Sequence, residues 1–171
     1  MFPFFRLNGF LAAALVASGV LLSCGSKGVE RTTPPPSWAP GISQNLARSA
    51  ATTSCVIDNI GPVANPAVQK TVQVSGATPI VISGWAIDEA NKTTAGGVDV
   101  VIDMAPYAAH YGSARPDVAA HFTQPGFRNS GFDFTVGPGQ LNAGPHSVAI
   151  RVMSSDKKVF YQGPVVQFAV N

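Results

Sequence analysis

The chain has 171 residues, with 11 Lys and Arg against 9 Asp and Glu, a formal net charge of +2, and only 12% charged side chains. That balance, with no basic stripe, leaves no electrostatic footprint for a nucleic-acid partner. With 17 Gly, 14 Pro and 46% hydrophobic residues, the composition suits a single turn-rich all-β domain better than a helical bundle.

In chain order, Arg6 supplies a short positive start, and residues 10–22 form an apolar run too short to span a bilayer as a helix. The run ends Leu21-Leu22-Ser23-Cys24, which resembles the lipobox of bacterial lipoproteins. By that resemblance residues 1–23 are a lipoprotein signal peptide and Cys24 is the acylated first residue of the mature chain. Gly25 rather than Asp follows it, so outer-membrane sorting is expected if the host is Gram-negative. A plain secretory signal is the competing reading. Cys55 is the other cysteine. It is expected as a small buried hydrophobe, with an intermolecular disulfide as the alternative. Without acylation, a Cys24–Cys55 disulfide becomes an option.

Residues 24–53 show no hydrophobic period. Thr32-Thr33-Pro34-Pro35-Pro36-Ser37 reads as a stiff, extended tether, with a short helix expected over residues 42–51 and Trp38 loosely packed on a surface. The folded domain is expected over residues 54–171. Strands are expected at residues 55–57, at 68–74 from the alternation of Val68, Val72 and Val74, and at 79–88, where apolar residues on both faces mark a central strand. Gly84 beside Trp85 suggests a bulge or a close backbone approach. Val98, Val100 and Ile102 are expected inward with Asp99 and Asp103 outward. Pro106 places the strand over residues 104–111 at a sheet edge.

Residues 111–136, YGSARPDVAAHFTQPGFRNSGFDFTV, carry the densest local code. Pro116 pushes Arg115 into an extended conformation and opens a helical turn, and Asp117 suits the positive end of its dipole. Val118, Ala119 and Phe122 can turn one apolar stripe inward before Gln124-Pro125-Gly126 stops the turn. Phe132, Phe134 and Val136 then alternate with Asp133 and Thr135 as a half-buried strand. A last hairpin follows, with His146, Val148, Ile150 and Val152 alternating on its first arm. Seven to nine strands with closely spaced turns fit an immunoglobulin-type sandwich, typically about 100 residues.

Gly84-Trp85-Ala86-Ile87-Asp88, the YGxxRPDV segment from Tyr111 to Val118, Ser130-Gly131-Phe132 and Gly144-Pro145-His146 together resemble a bacterial immunoglobulin-like module in which these four signals recur in this order. The resemblance implies an antiparallel β-sandwich on exported or cell-surface proteins and no settled activity.

No GxSxG, HExxH, CxxC, P-loop or dinucleotide-binding fingerprint occurs, so neither enzymatic activity nor a cofactor is expected. Arg115 is read as a staple onto Asp99, Asp103 or Asp133, or else as a fork for an anionic ligand. Asp117, Tyr107, Tyr111 and Phe127 complete the candidate set, the three rings as an aromatic face for sugars. Trp85 is expected in the core. Asp88, Glu89, Asn91 and Asp99 are weighed as a calcium loop, and His110, His121 and His146 as metal ligands. For both, no metal is the preferred reading. The expected function is a lipid-anchored cell-envelope protein with a non-enzymatic interaction or structural domain, partnered by the membrane and by an envelope protein or glycan. A carbohydrate-binding module and an accessory domain of an envelope enzyme complex are the alternatives.

Overall fold

The computed structural model describes residues 38–171. The expected signal peptide at 1–23, the expected acylation site Cys24 and the first part of the expected tether lie outside them. Twelve strands are formed: β1 Ala47–Arg48, β2 Cys55–Ile60, β3 Val63–Ala64, β4 Gln73–Val74, β5 Ile80–Asp88, β6 Thr93–Thr94, β7 Gly97–Ile102, β8 Ala105–Ala108, β9 His110–Ser113, β10 Gly131–Val136, β11 Gly144–Met153 and β12 Val159–Val170. A single α-helix, α1 Pro116–His121, and three 3-10 turns, Ile42–Asn45, Pro66–Val68 and Pro125–Phe127, complete the described residues.

Two sheets face each other, ordered β1-β12-β11-β7-β8 and β3-β2-β5-β10-β9, with β4 added to β12 and β6 to β5. Pairing is antiparallel except for the two-residue strands β1 and β4, which lie parallel to opposite ends of β12. The expected all-β sandwich with one helical turn is therefore the observed fold. Its core comes from period-two alternation: Ile82 and Ala86 of β5, Val98, Val100 and Ile102 of β7, Phe132, Phe134 and Val136 of β10, and Val148, Ile150 and Val152 of β11 close the interior. Gly84 in the same row is required by close approach, since a Cβ there would lie 2.0 Å from the Val56 carbonyl oxygen and 2.9 Å from the Phe132 ring.

Three expectations about individual elements change. The strand read over residues 68–74 shrinks to Gln73–Val74, because Pro66 opens a 3-10 turn and Val68 is left exposed. Residues 105–113 are two strands on different sheets, with the crossing at Ala109. Pro106 does lie on an edge strand, β8, at the end of its sheet. Trp85 is not in the interior between the sheets. It points to the outer side of β5, where it meets Phe122 edge-to-face at 5.7 Å.

The largest change concerns the tether. Residues 38–49 are folded across the outer face of one sheet as a strap. Ala39 accepts a bond from Ala108 of β8, and the Gly41 N–H donates to Pro106. The N–H groups of Ile42 and Ser43 donate to the two carboxyl oxygens of Asp99 on β7, at 2.9 and 2.7 Å. Arg151 of β11 reaches the Ser43 hydroxyl, and β1 then runs beside the start of β12. The strap thus crosses β8, β7, β11 and β12 in turn. Trp38 at its head meets Tyr107 and Phe134 edge-to-face, with centroids 4.8 and 5.3 Å away. Residues 38–53, expected as tether, are therefore part of the folded domain, and the expected helix reduces to one 3-10 turn, Ile42–Asn45. Asp99 has the outward parity expected of it, yet it is 0% exposed because the strap covers it.

Candidate functional site

The YGxxRPDV segment builds a small cap on the outer face of the β5 sheet. Arg115 (φ −135°, ψ 68°) is outside the helical region but short of the fully extended conformation expected of it, and Pro116 starts α1 at its first position. Val118 and Phe127 pack on Ile87 of β5, and Trp85, Ala119 and Phe122 close a second, smaller apolar cluster. Phe122 stands edge-on between Trp85 and Phe127. The inward stripe expected of Val118, Ala119 and Phe122 is thus present, aimed at Trp85 rather than at the main core.

Arg115 fastens this cap to the sheet. Its Nε donates to Asp117 Oδ1 at 2.9 Å and its Nη2 to Asp117 Oδ2 at 2.7 Å, a side-on fork, while Nη1 donates to Asp58 Oδ2 at 2.6 Å. Neither Asp99, Asp103 nor Asp133 is the partner. Asp99 lies under the strap, Asp103 accepts from His146 or Ser147, and Asp133 lies 2.8 Å from His110. Asp58 is reached because β2 is bulged there: Ile57 opposes Gly84 and Asn59 opposes Ser83, leaving Asp58 without a place in the ladder. Such a bulge re-aims the side chain of the extra residue. Its trace in the sequence is that Ile57 and Ile60, both buried, stand three residues apart rather than two.

The Arg115 hydrogen bonds hold the Asp117 carboxyl down at about 2, below its ordinary 3.8. A depressed folded-state value means that the contact stabilises fully above about pH 4 and is lost as pH falls toward 2. The stability difference between wild type and Asp117→Asn, followed by Trp85 fluorescence in urea, is expected to be constant from neutral pH to about pH 5 and to close near pH 2. A difference that stays flat to pH 2 would mean that the fork is not formed in solution.

The three candidate rings are spent inside the molecule. Tyr107 is 5% exposed and stacks on Phe134, and Phe127 is 3% exposed under the cap. The Tyr111 hydroxyl donates to the Ala86 carbonyl at 2.7 Å and accepts from the Ala95 N–H at 2.9 Å. Burial pushes its phenol up to about 12. These rings do not form the sugar-facing platform expected of them.

The polar clusters also disperse. Asp88 is buried and accepts from Asn91 and from the Ser155 N–H, Glu89 accepts from Ser54, and Asp99 serves the strap. The expected loop therefore does not converge on one point. His110 and His146 sit beside different carboxylates, and His121 lies edge-on to Phe122. Among the described residues no group of three or more His, Cys, Asp or Glu is placed to hold a metal ion. Among the described residues Cys55 has no disulfide partner; it is half-buried, and burial raises its thiol to about 11, so as a thiol it stays protonated at neutral pH.

What the cap does present is a surface groove of about 450 Å³, lined by Pro116, Ala119, Ala120, Thr123, Gln124, Pro125 and Arg128. Its walls are small apolar side chains on the back of α1 and the following 3-10 turn. The Arg128 guanidinium at its rim has no hydrogen-bond or ion-pair partner among the described residues. Sequence reading missed this feature, because it depends on how the helix and the turn pack together.

No protein-family description matches the chain, and no curated protein matches it. Among solved structures, it is similar to the endo-beta-1,4-mannanase from Thermotoga petrophila, with 11% sequence identity and a TM-score of 0.41 over 70% of this chain and 19% of that one. The chain thus aligns with about a fifth of the mannanase's length.

Proposed function

We propose that this is a lipid-anchored cell-envelope protein whose immunoglobulin-like sandwich serves as a non-enzymatic interaction or structural module. The observation that carries the reading is the cap: Arg115 and Phe127 are consumed in holding it, and the groove along Pro116, Ala119, Ala120 and Pro125 is the surface it offers to a partner. Small, rigidly backed apolar walls with one cation at the rim suit a short apolar protein segment. The run ending in Ser23-Cys24 supports the anchor.

Mass spectrometry of the mature protein tests the anchor, with an acylated Cys24 expected at the N-terminus and processing blocked in Cys24→Ala. An unmodified terminus downstream of Cys24 would exclude it. For the groove, a photo-crosslinker at Ala120 is expected to give a discrete adduct in the envelope that Ala119→Arg removes. The same adduct from a crosslinker at Thr135, on β10, would assign the contact elsewhere.

A further inference from the structure

The two ends of the sandwich differ in charge. Of the chain's 11 Lys and Arg, five gather at one end: Arg48, Lys92, Arg128, Lys157 and Lys158, all exposed. The fold brings them there from four separate segments. Arg48 stands opposite Phe160 at the start of β12. Lys157 and Lys158 lie in the β11–β12 turn, which is tied to the end of β5 by the Ser155 N–H bond to Asp88. Lys92 follows that strand end, and its carbonyl oxygen packs 2.6 Å from where a Cβ on Gly126 would sit, next to Arg128. Gly96 closes the same end against Lys157 and the Ser154 carbonyl.

Acidic side chains cancel this set only in part. Asp88 is buried, Asp117 is engaged by Arg115, and Asp156 pairs with Lys158 at 3.0 Å. Glu89 is the remaining exposed acid there, accepting from Ser54. The side chains of Arg48, Lys92, Arg128 and Lys157 have no ion-pair or hydrogen-bond partner among the described residues. At the opposite end, the loops over residues 75–79 and 137–143 and the Asp103–Met104 turn contain no Lys or Arg, and the exposed Lys70 stands alone between the Pro66–Val68 turn and β4.

We infer that this basic end rests on an anionic phospholipid surface, orienting the domain with its β5–β6 and β11–β12 turns toward the headgroups. The cations stand on separate turns rather than converging on one point, which matches an array of spread headgroup charges better than a single bound phosphate. An exposed basic set near an anionic bilayer is attracted over about a Debye length, ~10 Å at 0.1 M salt. The inference rests on the proposed lipid anchor, which would hold the domain at such a surface.

The test uses the mature protein, purified with its own N-terminus and reconstituted in phosphatidylcholine vesicles with or without phosphatidylglycerol. A fluorophore is placed at Ala90→Cys on the basic end or at Ala77→Cys on the opposite end, with spin-labelled headgroups as quenchers. Quenching at position 90 is expected to exceed that at 77 with the anionic lipid, and the preference is expected to vanish in high salt. Lys92→Gln and Lys157→Gln should each reduce it about five-fold. Equal quenching at both positions in anionic vesicles would overturn the inference. So would protection of position 90 by a soluble anionic polysaccharide but not by the vesicles, which would assign the surface to a glycan. Failure to float with phosphatidylcholine vesicles would count against the anchor alone, and the ratio on anionic vesicles would still decide the orientation.

Discussion

Asp99→Ala is expected to destabilise the protein by about 3 kcal/mol. Asp99 is fully buried although it lies on the outer face of its sheet, and its carboxyl group accepts the N–H groups of Ile42 and Ser43. Truncation leaves both donors without an acceptor beneath the strap, and each such bond to a carboxylate contributes about 1.5 kcal/mol or more. Asp99→Asn, which keeps one acceptor oxygen, should lose roughly half as much. Removing residues 38–53 should cost more than Asp99→Ala, because Trp38 also leaves Tyr107 and Phe134. Urea unfolding of the three variants measures this. Equal stability of the chains beginning at residues 38 and 54 would show that the strap does not contribute in solution.

Arg115→Ala is expected to cost about 2–3 kcal/mol, between the value of an exposed ion pair and that of a buried one. The Arg115 and Asp58 side chains are 23% and 29% exposed, so Asp58 left behind without its cation is partly but not fully rescued by water. The informative measurement is a double-mutant cycle. Arg115→Ala and Asp58→Ala should be non-additive by 1 kcal/mol or more, whereas Arg115→Ala with Asp133→Ala should add within about 0.5 kcal/mol. The reverse pattern would put the staple back on the strand that feeds from the same loop. Because the cap carries the groove, Arg115→Ala should also weaken any contact made at Ala120, but only together with the loss of stability.

Local signals determined a large part of this molecule. Period-two alternation marked β7, β10 and β11 as core strands, since side chains on a strand alternate between a buried and a solvated face whatever lies further along the chain, and apolar residues on both faces marked β5 as central. The Arg115-Pro116-Asp117 grammar located α1 to the residue, because proline constrains its own φ and the residue before it without help from tertiary contacts. The expectation that Gly84 marks a close approach was legible for the same reason: only a missing Cβ permits it. The proposed anchor rests on the sequence of residues 1–24 alone, outside the residues the structure describes.

Tertiary structure decided whatever depends on a covering partner. Nothing in Trp38-Ala39-Pro40-Gly41 has a period, so the strap reads as tether until the sheet it crosses is present. Its hydrogen bonds go to Pro106, Ala108 and Asp99, more than 50 residues away. The partner of Arg115 turned on one unpaired residue in β2, and a bulge shifts every later side chain in a way that composition does not reveal. Tyr107, Tyr111 and Phe127 looked available because they lie near loops, yet burial is a property of what packs over a residue. The strap's Trp38, the Ala86 carbonyl and the cap are what cover them.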